Sequence, residues 1–108
     1  MCTDEQLDRI HKALAHTIRR EIIKRLIDTP GIMVGQLAEN FAISRVGILG
    51  HIKVLEAAGL VINGSRKGRR KLFFNPTPLQ MLQAHFVEEY SLDEFQPHRE
   101  PFQNGYSI

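Results

Sequence analysis

The chain has 108 residues, 43% of them hydrophobic and 24% charged, which leaves room for one domain burying about two-thirds of its unfolded surface. Fourteen basic and 12 acidic side chains give a formal net charge of +2, too small by itself to specify a partner. No apolar run approaches the roughly 20 residues needed to span a bilayer, and the opening MCTDEQLDRI is charged where a secretory leader would be apolar, so a cytoplasmic protein with no membrane partner is expected.

Cys2 is the single cysteine; it cannot form an internal disulfide or a thiolate metal cluster and reads as an inert terminal thiol. From Asp4 to Ala15, Leu7, Ile10 and Leu14 recur at helical spacing, with acids in the first turn where the helix dipole favours them. Thr17 is the expected cap of a second helix, whose Ile18, Ile22, Ile23, Leu26 and Ile27 form a wide apolar face ended by Pro30-Gly31. Ile32-Met33-Val34 suits a very short strand. Val34 to Asn40 is a third helix, with Val34, Leu37 and Ala38 inward and Phe41 closing the turn.

Ser44 is a good cap for a fourth helix, Arg45 through Ala58. At 100° per residue, Ile48, Ile52 and Leu55 share one stripe. Val46, Gly50, Lys53 and Ala57 lie opposite, and Gly47 and Leu49 flank. Gly59 fits the left-handed position that ends such a helix. Two helices joined by about four residues, the second polar-capped, make a helix-turn-helix.

Leu60-Val61-Ile62 and Lys71-Leu72-Phe73-Phe74 are short β-prone runs. The segment 63–76 joining and including part of them holds five basic residues, Arg66, Lys67, Arg69, Arg70 and Lys71, and no acid, whereas residues 77–108 hold one basic residue against five acids. That pattern reads as an antiparallel hairpin with a basic tip, a wing, facing either a polyanion or solvent alone. Thr77 is the expected cap of a last helix with Pro78 in its first turn. Its stripe is Leu79, Leu82, Phe86 and Tyr90, widened by Met81, Ala84 and Val87. The expectation is one domain over residues 1–96 and a tail over 97–108 that lacks periodicity. The fold class is mainly α with a small β-hairpin, in the order α-α-α-α-β-β-α: a winged helix-turn-helix.

The run Lys12-Ala13-Leu14-Ala15-His16-Thr17-Ile18-Arg19-Arg20-Glu21-Ile22 resembles the "LKALADPTRRRIL" opening of the arsenic-repressor (ArsR) family of winged-helix regulators. Val34-Gly35-Gln36-Leu37-Ala38-Glu39 is similar to that family's "TVGELAE", and His51 through Val61 to its "HLKVLEEAGLV". Arg69-Arg70-Lys71-Leu72-Phe73-Phe74-Asn75-Pro76 resembles its strand leaving the wing. The likeness runs in order over about residues 7–90 and is greatest to a branch lacking metal-ligand motifs. It implies a symmetric dimer built from the first and last helices, with recognition helices in successive major grooves and wings on the flanking backbone. The apolar load of those two helices is compatible with such pairing, through Leu7, Ile10, Leu14, Leu79, Leu82, Phe86 and Tyr90, or with a place in the core.

The expected function is therefore a sequence-specific DNA-binding transcriptional regulator, a repressor acting as a homodimer on a palindromic operator in double-stranded DNA. Phosphate contacts are expected from Arg66, Lys67, Arg69 and Arg70, with Lys71 and Lys53, and from Ser44 with the amides that follow it. Arg45 and His51 are placed to reach base edges or nearby phosphates, with a surface salt bridge to Glu39 or a similar acid as the alternative for Arg45. The rest of the face, Val46, Gly47, Leu49 and Gly50, is poor in hydrogen-bond donors. Three explanations stand side by side: contacts to thymine methyl groups, close helix approach with readout of DNA shape, or a protein partner. The last defines the rival function, a winged-helix interaction module with weakened DNA binding.

Metal sensing is not expected. The family's thiolate pattern would need cysteines near Gln36-Leu37, and His85 with Glu88 or Glu89 falls short of the three or four ligands of a stable zinc site. No cofactor is expected, and no enzyme: a phosphate-binding glycine loop, a nucleophile with a matched base and inward paired carboxylates are all missing from the sequence. An effector of unknown kind is left open.

Overall fold

The computed structural model describes residues 2–64 and 69–90. Arg66 and Lys67 of the wing tip, and the tail expected over 97–108, lie outside them.

Helix α1 (Asp4–Leu14) opens on a capping box, in which Gln6 N donates to Thr3 Oγ1 at 3.1 Å and Thr3 N donates to Gln6 Oε1 at 2.9 Å. Helix α2 (Thr17–Asp28) begins one residue earlier than a Thr17 cap requires: His16 is the N-cap, and its Nδ1 accepts from Ile18 N at 3.2 Å. A ring nitrogen here does what a hydroxyl was expected to do. Arg19 and Arg20 of α2 turn back to donate to Lys12 O at 3.0 Å and Leu14 O at 2.6 Å, so two cations sit at the negative end of α1.

Strand β1 (Ile32–Met33) leads into the short helix α3 (Val34–Ala38), which stops two residues before Asn40. Helix α4 (Arg45–Ala57) follows, capped by Ser44. It ends at Gly59, whose φ of +76° is the left-handed conformation a side chain would oppose. Strands β2 (Val61–Asn63) and β3 (Lys71–Phe74) pair antiparallel, with Val61 opposite Phe74. The sheet has three strands rather than a hairpin alone, because β1 adds to the other edge of β3 with Ile32 opposite Leu72. Gly31, at φ +84°, lets the chain enter β1 beneath the Phe73 ring, 3.4 Å from where its Cβ would lie.

Helix α5 (Thr77–Tyr90) is preceded by Asn75, and Thr77 is not its cap. Asn75 Oδ1 accepts from Thr77 N at 3.2 Å while its Nδ2 donates to Gly59 O at 2.9 Å, tying the start of α5 to the end of α4. Among the described residues a single core lies between α1, α2, α3, α4 and the sheet. Ile22, Leu26, Leu37, Ile48, Ile52, Leu55, Leu60 and Leu72 are its fully buried side chains. Ile27, expected on the apolar face of α2, is instead 54% exposed.

Candidate nucleic-acid interface

Ser44 accepts the backbone N–H of Gly47 at 3.1 Å, and this cap fixes where α4 starts relative to α3. Ile48, Ile52 and Leu55 then anchor the inner side of α4 in the core. The outer side is left facing a groove of about 900 Å³ bounded by α3, α4 and the base of the wing. Of the residues singled out in the sequence, Arg45, Val46, Leu49, Gly50, Lys53, Arg69 and Arg70 line this groove together. From α3 and its approach come Met33, Val34, Gly35, Gln36 and Glu39, none of them predicted as site residues. Their signal was topological: the first helix of such a pair flanks whatever the second one contacts.

Arg45 leans across the start of α3, with a guanidinium nitrogen 3.7 Å from the position a Cβ on Gly35 would take. Arg69, Arg70, Lys71 and Lys53 are exposed. The groove thus carries four cations, Arg45, Lys53, Arg69 and Arg70, against one acid, Glu39. Such a balance attracts a polyanion.

Three residues of the expected face also pack within the protomer. Gly47 is half-buried, and a Cβ there would stand in ordinary contact, 3.4 Å from Ile43 and 3.5 Å from Ser44 Oγ, so this position faces the turn. Leu49 is half-buried and packs partly on the core. His51 turns away from the groove toward α2. Its Nδ1 accepts from Arg19 Nε at 3.1 Å, and its ring centroid is 4.5 Å from that of His16. Burial, then the neighbouring His16 and Arg19, pull the His51 imidazole below the ordinary histidine value of 6.5. The ring thus links α4 to α2 and is not among the residues lining the groove.

Along the expected pairing surface, Leu7 and Ile10 are already buried within the protomer, at 8% and 3% exposure, and leave little for a partner. Leu14, Leu79 and Leu82 are partly buried against the core. Phe86 is half-buried, stacked on Tyr90 with ring centroids 5.4 Å apart, and 5.7 Å from the His11 ring of α1. Among the described residues no group of three or more His, Cys, Asp or Glu side chains could hold a metal ion, and no helix is long and apolar enough to cross a membrane.

Two helices meeting across a short turn, the second bordered by a sheet whose β2–β3 hairpin projects beside it, define a winged helix-turn-helix. Residues 18–70 match the family described as "HTH domain". The "HTH-type transcriptional regulator Rv2034" of Mycobacterium tuberculosis is 39% identical over 84 residues, 78% of this chain and 78% of that protein. The crystal structure of an "ArsR family transcriptional regulator" superposes with a TM-score of 0.75 at 27% identity, over 88% of this chain and 97% of that one. A winged helix-turn-helix DNA-binding domain from Mycobacterium bovis, described as homodimeric, shares the fold at a TM-score of 0.63 and 19% identity, over 89% of this chain and 88% of that one. The chain belongs to the helix-turn-helix transcriptional regulators of the ArsR type.

Proposed function

We propose that this regulator is a repressor that binds a palindromic operator as a homodimer, paired through α1 and α5. The observation carrying the reading is the groove itself, where Arg45, Lys53, Arg69 and Arg70 surround the outer side of α4. Phosphates on either side of a major groove would meet these cations while α4 enters between them. Lys71 and the wing-tip residues Arg66 and Lys67 would extend the same contacts, and the capped start of α4 at Ser44 would offer backbone amides to another phosphate.

Pairing is supported by the state of α5. Only Pro78 of this 14-residue helix is buried, while Leu79, Met81, Leu82, Phe86 and Val87 are half-covered and Tyr90 is 62% exposed. A second copy, related by a two-fold axis, would cover that surface and set two recognition helices about 34 Å apart along the DNA. The homodimeric state described for the M. bovis domain agrees with this arrangement. The rival reading, a protein-interaction module, draws on Val46, which is 77% exposed in the groove.

The test is a fluorescence titration of the full chain against the DNA upstream of its own gene, at two salt concentrations, with scrambled competitor. Tight, salt-dependent binding that the scramble fails to compete is the expected result. Equal competition by the scramble would reduce the groove to a general electrostatic surface and favour the rival.

A further inference from the structure

We propose that Val46 and Gly50 form a thymine-reading stripe: the Val46 methyl groups meet a thymine 5-methyl in the major groove, and the missing side chain at Gly50 lets the backbone of α4 press against the same base edges. The inference rests on the DNA-binding reading above and adds which base is read and by which atoms.

The argument begins with a cost. Glycine in a helix interior is about 1 kcal/mol less favourable than alanine, and Gly50 sits mid-way along the 13-residue α4. Nothing among the described residues accounts for it. Gly50 is not among the glycines with positive φ, which are Gly31 and Gly59. A Cβ at Gly50 would meet no heavy atom of the described residues within 4 Å, whereas the same addition at Gly47 would make ordinary contact with Ile43 and Ser44. Gly47 faces its own protomer and Gly50 faces none of the described residues, so the space beside Gly50 is open to something outside the protomer.

Val46 lies one turn earlier on the same face and is 77% exposed. Neither side chain can donate or accept a hydrogen bond. Among the four bases, thymine alone adds a methyl group to the major-groove edge, which makes it the natural partner of an apolar stripe. Charge complementarity selects DNA over an apolar protein as the occupant, because Arg45, Lys53, Arg69 and Arg70 border the stripe. A purely apolar partner would leave those four cations desolvated and unpaired.

The experiment selects the preferred duplex from a random pool with the full chain, then replaces each thymine of the selected site by uracil in turn. At one or two positions per half-site, uracil is expected to weaken binding about fourfold, the equivalent of one methyl group of roughly 0.8 kcal/mol. Val46→Ala should show that loss on the thymine site and no further loss on the uracil site, as a coupled pair does. Gly50→Ala should raise the melting temperature by roughly 4 °C and yet weaken binding, a sign change that a damaged fold cannot produce. Failure to enrich any sequence would overturn both readings. An enriched site indifferent to every uracil would overturn this one alone.

Discussion

Helix α4 has two sides under different masters. On one, Ile48, Ile52 and Leu55 are each 0% exposed and make up part of the core. On the other, Val46 stands in solvent and a Cβ at Gly50 would meet none of the described residues. The inner side is explained by the rest of the chain, and the outer side by none of the described residues. Changes to the first should therefore be read in stability and changes to the second in binding. Ile52→Ala should cost about 2–5 kcal/mol, the price of a large-to-small change at a close-packed site. Val46→Ala should stay within about 0.5 kcal/mol, as is usual for exposed positions. Urea denaturation of both variants checks the contrast, and a comparable loss for Val46→Ala would show that the outer side is part of the fold after all.

The same reasoning separates α5 from α4. Helix α5 is apolar on a surface its own protomer only half covers, so Phe86→Asp should convert a dimer to a monomer while the monomer keeps its helical content. Sedimentation velocity with circular dichroism reads both properties. A dimer that survives the charge would remove Phe86, and the α5 stripe around it, from the pairing surface.

A smaller effect is expected where the partner is diffuse. Replacing Arg69 and Arg70 together by alanine should weaken binding to all sequences alike and reduce the slope of log affinity against log salt by about one for each lost phosphate contact. The uracil effect assigned to Val46 should persist, since phosphate contacts position a protein and base contacts specify the site. An unchanged salt slope would take the base of the wing off the DNA.

How much of this was written in the sequence follows the same division. Periodicity found the inner stripe of α4 without error, because 3.6-residue spacing and burial are one constraint seen twice. Ser44 and Gly59 were legible for a similar reason: each meets a local backbone demand that few residue types satisfy. The caps of α2 and α5 were not. His16 and Asn75 act through side-chain geometry that a preference for hydroxyls does not reveal, although Thr3 and Gln6 did carry the spacing of a capping box. The short strand at Ile32-Met33 was legible, but its place in the sheet was not, because two residues hold too little pattern to name a partner; they pair with β3 at Leu72 and Lys71, 40 and 38 residues away. In the site, charge placed Arg69 and Arg70 and helix phase placed Val46 and Gly50. Phase alone could not tell that Gly47 faces Ile43.

His51 shows where phase misleads most, and it supplies the subtlest test of the division between inner and outer sides. Counted along the helix it could reach DNA; folded, it faces α2, against the His16 ring and the Arg19 guanidinium, which Lys12 O also holds. The neutral ring accepts the Arg19 N–H. A proton on it removes the acceptor and sets a cation beside Arg19. Because the folded chain holds the His51 pKa below 6.5, the unfolded chain takes up that proton more readily. Well above pH 6.5 the residue then contributes no pH dependence, and stability is lost as the pH falls through 6.5 and below. His51→Gln keeps an acceptor for Arg19 but cannot titrate. Its urea midpoint should fall less than that of the unmodified chain between about pH 7.5 and about pH 5.5, the carboxylates common to both cancelling in the difference. Parallel curves for the two proteins would mean that His51 titrates as it does in the unfolded chain, and that the α2–α4 contact does not depend on its neutral form.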